Sequence, residues 1–424
     1  MLSIQKYRSI LLAGSAMALL AACTEADVQD VASPGDSQPI VINPIPPSTG
    51  GGGGGFASRA TAPTTAADCG AGTTFLSGVS LPSGDTTNFC SLTPLGGGNI
   101  LGTVNVPFSA DPILISGTVF IGDSTDGAAD VTFAAGQQFV SQSQTGQVDL
   151  LVVSRGSDLT AVGNATQPII FTSAQDFEDD GLPNGTSGTG DWGGLAINGA
   201  AQLNECVIDP AATPGTGACR QNGEGGSGEF GGADNADSSG DFQFIRVQHA
   251  GFPFTPTNEL NGIALQGVGS GTVFENIQVH LGADDGFEWF GGAVNAMNLV
   301  VTGANDDSLD WTDGWVGALQ FALVVQQPGD DNGIEGDNNG DTSNDALPRS
   351  APRISNITLI GDGPGSGEGI QLREGTAGTI VNAVVTNFDQ GLEFNPGGTG
   401  PDPIVDSFAL AGNDDQFAGS GAAL

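Results

Sequence analysis

Six copies of a five-residue unit recur along the second half of the chain and restrict it to folds built by stacking. The unit reads Asn-Gly-Ile-Ala-Leu at 261–265, Asp-Gly-Phe-Glu-Trp at 285–289 and Asp-Ser-Leu-Asp-Trp at 307–311. It returns as Asn-Gly-Ile-Glu-Gly at 332–336, Glu-Gly-Ile-Gln-Leu at 368–372 and Gln-Gly-Leu-Glu-Phe at 390–394. Start-to-start steps are 24, 22, 25, 36 and 22 residues, and the one long step holds an acidic insertion. A second unit interleaves with the first: Phe-Glu-Asn-Ile-Gln-Val at 274–279, Ala-Met-Asn-Leu-Val-Val at 296–301, Ile-Ser-Asn-Ile-Thr-Leu at 354–359 and Ile-Val-Asn-Ala-Val-Val at 380–385. Two strand signals sharing one period mean one coil with at least two strands per period, so the economical fold is an all-β solenoid. Stacked coils put equivalent residues about 4.8 Å apart, and Asn276, Asn298, Asn356 and Asn382 then form an amide ladder buried at a bend. A β-sandwich, the competing fold, gives no reason for the recurring Asn.

Alternation along a strand assigns the unit's positions to two faces. Positions three and five are mostly apolar and face inward: Ile263/Leu265, Phe287/Trp289, Leu309/Trp311, Ile370/Leu372 and Leu392/Phe394. Position four faces outward and reads Ala264, Glu288, Asp310, Glu335, Gln371 and Glu393. Three successive coils therefore present Glu288, Asp310 and Glu335 as a vertical acidic file. Carboxylates one rung apart repel by roughly 3 kcal/mol at an effective dielectric of 20, a strain that a cation, a proton or splaying into water relieves. Asp284, Asp285, Asp306, Asp307 and Asp313 flank the file. So dense an oxygen set suits a hard cation, Ca²⁺ above all, with Asp285, Glu288, Asp307, Asp310, Asp331, Glu335, Asp337 and Asp341 as candidate ligands.

The insertion in the long step carries Asp330, Asp331, Asp337, Asn339, Asp341, Ser343 and Asp345. Its alternate acids resemble the start of a helix-loop-helix calcium loop, yet Thr342 stands at the turn glycine and Pro348 at the terminal Glu, which argues against that motif. Asp176, Glu178, Asp179 and Asp180 make a smaller acidic loop. Phe290 and Trp315 are candidate exposed platforms for sugar rings. His249 and His280 occupy different repeat registers and read as bend or surface residues.

The N-terminus sets the expected address. Lys6 and Arg8 precede an apolar run over 10–20 that ends Leu20-Ala21-Ala22-Cys23, too short to span a membrane. These positions resemble a bacterial lipoprotein signal. The resemblance implies removal of 1–22, lipidation of Cys23 and, with Thr24 rather than Asp following, an outer-membrane location on the periplasmic face or the cell surface. Residues 23–66 then form the lipidated Cys and a Pro/Gly-rich tether, whose stretch from residue 33 spans roughly 35 Å r.m.s.. Beyond Cys23 there is no Lys, and seven Arg face 48 acidic residues, leaving a side-chain charge of −41. Such a field repels nucleic acid, which is excluded as a partner. Of the remaining cysteines, Cys69 and Cys90, and Cys206 and Cys219, lie close in sequence; three connectivities exist, and the spacings favour these two local disulfides in an oxidising compartment.

Segments such as Ser154-Arg155-Gly156-Ser157, Gln-Pro-Ile-Ile-Phe-Thr-Ser at 167–173 and Gly-Asp-Trp-Gly-Gly-Leu at 190–195, together with the repeats, resemble right-handed parallel β-helix proteins of the pectate-lyase-like superfamily and uncharacterised bacterial surface proteins among them. The resemblance implies a parallel β-helix over 149–424, preceded by a β-rich N-terminal cap over 67–148 that Cys69 and Cys90 staple. It is specific for fold and silent on activity, because this fold hosts lyases, hydrolases, adhesins and scaffolds alike. Polygalacturonase-like hydrolases place aspartates on consecutive coils before Gly-His-Gly and Arg-x-Lys motifs. Here Asp284, Asp285, Asp306, Asp307 and Arg373 keep that order, but the His is absent and Glu374 replaces the Lys. The leading expectation is therefore a lipid-anchored envelope module, stiffened by Ca²⁺, that binds a glycan or an outer-membrane protein. A polysaccharide hydrolase or lyase acting through the acidic file is the alternative.

Overall fold

The structure, a computed structural model, describes residues 62–123, 129–142, 148–180, 188–255, 258–340, 343–363 and 365–420. The leader, Cys23 and almost all of the tether lie outside them, as does Asp341. Short alternating runs become strands, and strands of successive coils pair in parallel to form two long sheets, of 15 and 11 strands among the described residues. The Asn-containing unit builds the first sheet through Val273–Gly282, Ala296–Ala304, Arg353–Ile360 and Thr379–Thr386. The five-residue unit builds the second through Ile263–Gln266, Phe287–Phe290, Leu309–Thr312, Ile334–Gly336, Gln371–Arg373 and Gln390–Asn395. The chain is thus a parallel β-helix.

Between the sheets runs one apolar core, fed by the inward positions of every coil from Leu92 to Val405. Phe287, Trp289, Leu309 and Trp311 are all buried in it. Trp311 fits because its neighbour on the next coil is Gly336, where an added Cβ would lie 2.2 Å from the indole. Position two of the unit is small for a related reason: a Cβ on Gly286 would stand 2.6 Å from the Ser308 carbonyl oxygen. Trp315 is not the exposed platform expected. The backbone turns through Asp313, at φ 57°, and sends Trp315 inward, where it is fully buried and stacks on Trp289 with 4.5 Å between ring centroids.

The recurring Asn has a sharper cause than burial. Asn276, Asn298, Asn356 and Asn382 share one register and one backbone conformation, with φ between 57° and 60°. Asn is among the few L-residues that enter this left-handed region readily. Asn298 Nδ2 donates to Asn276 Oδ1 at 2.9 Å, and Asn382 donates likewise to Asn356. The ladder breaks between these pairs, because the coil between them carries Phe321 at the same position, at φ 65°. The amides are half-buried or exposed rather than enclosed.

The parallel coils start before residue 149, which corrects the expected boundary of the cap. Gly97–Ile100 pairs with Thr118–Ile121, and that strand with Leu150–Val153, in parallel. At this end the antiparallel pair is Thr74–Ser80 with Thr86–Ser91, which joins the first sheet at Ile113–Ile115. The Cys69–Cys90 disulfide holds it, with S–S 2.00 Å. The early coils escape notice in the sequence because paired residues on the second sheet are 21, 32, 44 and 68 positions apart before the steps settle to about two dozen.

His249 occupies a bend, at φ 59° just past the strand Gly240–Gln248, but is buried there rather than on the surface. Its Nε2 lies 3.6 Å from Asp176 Oδ1, its Nδ1 contacts the Gly188 carbonyl at 2.5 Å, and its ring meets that of His280 edge-on at 5.9 Å. Asp176, expected in an acidic loop, sits in the helix Ala174–Asp180 and accepts a hydrogen bond from Thr172 Oγ1 at 2.8 Å.

Candidate functional site

Parallel pairing places Ala264, Glu288, Asp310, Glu335, Gln371 and Glu393 side by side, one per coil, on the outer face of the second sheet. Two excursions rise beside them and turn the file into the floor of a cleft of about 490 Å³. One wall is the segment 199–231, braced by the Cys206–Cys219 disulfide and by the antiparallel pair Gln221–Asn222 and Glu229–Phe230. The other is the acidic insertion after Gly336. Asn204 ties the walls together: its Nδ2 donates to the Asn338 carbonyl at 2.9 Å, and its Oδ1 accepts from Asn339 Nδ2 at 2.9 Å. Gln221 Nε2 donates to Asp313 Oδ2 at 2.5 Å, fastening the first wall to the floor.

Among the described residues, eighteen line the cleft, eight of them carboxylates, and Arg373 alone is basic. Arg373 Nε donates to both oxygens of Asp337 at 3.0 and 3.1 Å, and Nη2 reaches Glu335. The guanidinium is therefore committed to the floor. Asn261 Nδ2 donates to Glu288 Oε2 at 2.6 Å and to Glu224 Oε2 at 3.3 Å. Asp310 Oδ1 is buried and has no hydrogen-bond partner among the described residues. Phe290, on the floor, faces Phe230 of the wall with 6.2 Å between ring centroids.

Crowded carboxylates out of water resist ionisation. Burial first, then the Asp337 charge, pushes Asp310 up to about 8, while a hydrogen bond with Glu288 partly offsets them. Burial and the Asp284 charge raise Glu224 to about 8. Burial also raises Glu288 and Glu335, the latter against the pull of Arg373. Asp337 is lifted by burial only to about 6, since Arg373 stabilises its charged form.

A second acidic group forms along the turn that leads into the same strands. Asp285 Oδ1 accepts from the Asp307 N–H at 2.9 Å, Asp307 Oδ1 from the Asn332 N–H at 2.9 Å, and Asn332 Oδ1 from the Glu368 N–H at 2.7 Å. The neutral Asn332 serves as well as the aspartates in this ladder, so the ladder does not require their charge. Asp284 is raised to about 7 by burial and the Asp306 charge. Each of four carboxylate sets brings its ligand atoms within 4.8 Å of one another: Asp284/Asp285/Asp306, Asp306/Asp307/Asp331, Asp285/Glu288/Asp310 and Asp307/Asp310/Glu335. An all-oxygen donor set at this spacing fits Ca²⁺ and would supply it with several carboxylate ligands.

The candidate residues thus divide. Glu288, Asp310, Glu335, Asp337, Phe290 and Arg373 meet in the cleft, Asp284, Asp285, Asp306, Asp307 and Asp331 gather at the turn, and the two groups touch where Asp285 and Asp307 come beside Asp310. The hydrolase-like set is divided by this arrangement, since Arg373 forms its ion pairs with Asp337 and Glu335. The insertion's acids are dispersed as well. Asp330 accepts backbone N–H bonds from Gln327 and Ala304, and Asp345 pairs with Arg349. Sequence reasoning missed the wall residues Glu205, Gln221, Glu224 and Phe230. The local cysteine pair marked their segment as a braced excursion, but nothing in the order of residues said which face it would cover.

No curated protein and no solved structure matches the chain. A family model for the pectate-lyase-like beta helix domain matches residues 114–417. With its parallel coils and an acidic cleft on one sheet, this chain belongs to the pectate-lyase-like beta helix family.

Proposed function

We propose that the chain is a glycan-binding module of the cell envelope, tethered through a lipidated Cys23 on the outer membrane, whose cleft over Glu288, Asp310 and Glu335 holds the saccharide. The observation that carries this reading is the cleft itself: a walled groove with hydrogen-bonding groups on its floor and the half-buried Phe290 ring, backed by the buried Phe230, at one side. Sugar rings present hydroxyls to the first and an apolar face to the second. Ca²⁺ belongs to the turn, where Asp284, Asp285, Asp306, Asp307 and Asp331 neutralise it and it in turn locks three coils together. Calorimetric titration with a panel of oligosaccharides tests the binding; no heat from any of them refutes it. Chelation tests the metal: EDTA should lower the melting temperature by several degrees, and an unchanged melt removes Ca²⁺ from the account.

Polysaccharide cleavage is the second reading, and one feature favours it. Glu288 and Asp310 share a hydrogen bond across adjacent rungs, an arrangement of a proton-holding acid beside a carboxylate that glycosidases use. Reducing ends released from a polysaccharide, and lost in Asp310→Asn, would replace the binding module with an enzyme.

A further inference from the structure

The cleft's charge selects among glycans. Among the described residues it carries eight carboxyl groups and one guanidinium, which is spent on Asp337 and Glu335. A polyuronate entering this groove would add its own negative charges to a cleft whose excess of carboxyl groups over cations already makes them resist ionisation, and like charges in contact at an interface oppose binding. A Ca²⁺ held at the turn lies beside the groove and leaves most of that excess in place. Asp310 marks the centre of the deficit. It stands between Glu288 and Glu335 on consecutive rungs, and its buried Oδ1 has no partner among the described residues. An acceptor in that state calls for a donor, and a positively charged one answers both the orphaned oxygen and the repulsion along the file.

We propose that the ligand is a glycan bearing free primary amines, a deacetylated hexosamine polymer, with one ammonium group seated on Asp310 between Glu288 and Glu335. This rests on the glycan-binding reading and gives it a substrate class. Two features favour a sugar chain over a basic peptide. A pyranose unit is close to one rung in length, whereas an extended peptide advances only about 3.3–3.6 Å per residue and drifts out of step with rungs about 4.8 Å apart. The half-buried Phe290 ring at the side of the file offers an apolar face that a lysine side chain does not need.

The test is calorimetric titration of the full chain, in physiological salt with Ca²⁺ in excess, against four hexamers: β-1,4-linked glucosamine, its N-acetylated counterpart, galacturonate and lysine. The glucosamine hexamer should bind about tenfold or more tighter than the acetylated one, as one charge-assisted contact predicts. Asp310→Asn should remove that preference and leave the weaker affinity for the acetylated hexamer intact. Glu288→Gln provides the same readout should the first variant fail to fold. Equal binding of the acetylated hexamer, or preference for galacturonate, overturns the amine and leaves glycan binding standing. Lysine hexamer bound as tightly as glucosamine replaces the glycan with a basic protein segment. Silence from all three saccharides removes the glycan reading together with this one.

Discussion

Two polar ladders climb this molecule with the same rung spacing and opposite consequences. On the first sheet, Asn298 donates to Asn276 and Asn382 to Asn356; each amide both donates and accepts, so a stack of copies satisfies itself. On the second, Glu288, Asp310 and Glu335 stand in the same kind of register. An ionised carboxylate only accepts. Copies of it cannot satisfy one another, and the file has to find protons, a cation or a ligand. Stacking therefore turns a repeated amide into fold and a repeated acid into a demand for something outside the chain.

The largest expected break in this comparison is with pH. The acids of the file and its surroundings have folded-state values raised above their unfolded ones, to about 8 for Asp310 on the file and Glu224 on the wall and about 7 for Asp284 at the turn. Their contribution to stability is therefore complete below about pH 4 and is lost as pH rises through about 8. In EDTA, unfolding monitored by the four tryptophans should show a loss on the order of 3–5 kcal/mol between about pH 4 and pH 9. Added Ca²⁺ should restore much of it at the alkaline end. A flat profile would mean that the file is hydrated and unstrained.

Converting the acid ladder into an amide ladder comes next. The triple variant Glu288→Gln, Asp310→Asn, Glu335→Gln should remove most of that pH dependence and gain roughly 2–3 kcal/mol at pH 9, because each rung of repulsion disappears. Its oligosaccharide affinity should fall at least tenfold in the same calorimeter.

Attacking the amide ladder should do less. Asn298→Val forces a β-branched residue to φ 59°, for a loss of about 2 kcal/mol in chemical denaturation. Asn298→Gly should cost well under half of that, since glycine enters the left-handed region freely. Equal losses would assign the Asn to its hydrogen bond instead of its backbone. The smallest effect is expected from Phe321→Asn, which fills the break between Asn298 and Asn356 and should stabilise by about 0.5–1 kcal/mol.

Much of this was legible from spacing. The interleaved units implied stacked coils, and parity along the five-residue unit put Glu288, Asp310 and Glu335 on one outward face, where the strand register places them. Spacing failed where insertions hid it: the steps between coils run 21, 32, 44 and 68 residues from Gly97 to Ile263 and leave no visible period before the five-residue unit begins. It failed again at Trp315, one residue past a left-handed turn, because alternation holds only while the strand continues.

The chain's own order of residues determined the coil, its inward and outward faces, the vertical file of acids and a composition hostile to nucleic acid, since all of these follow from periodicity and charge. Only the tertiary structure decided that 199–231 folds over the file to meet Asn338 and Asn339, that Arg373 is committed to Asp337, and that the acids split between a cleft and a turn. The reason is physical. A repeat encodes contacts between equivalent positions of neighbouring coils, whereas an insertion is placed by packing and hydrogen bonds to residues more than a hundred positions away, for which no period exists.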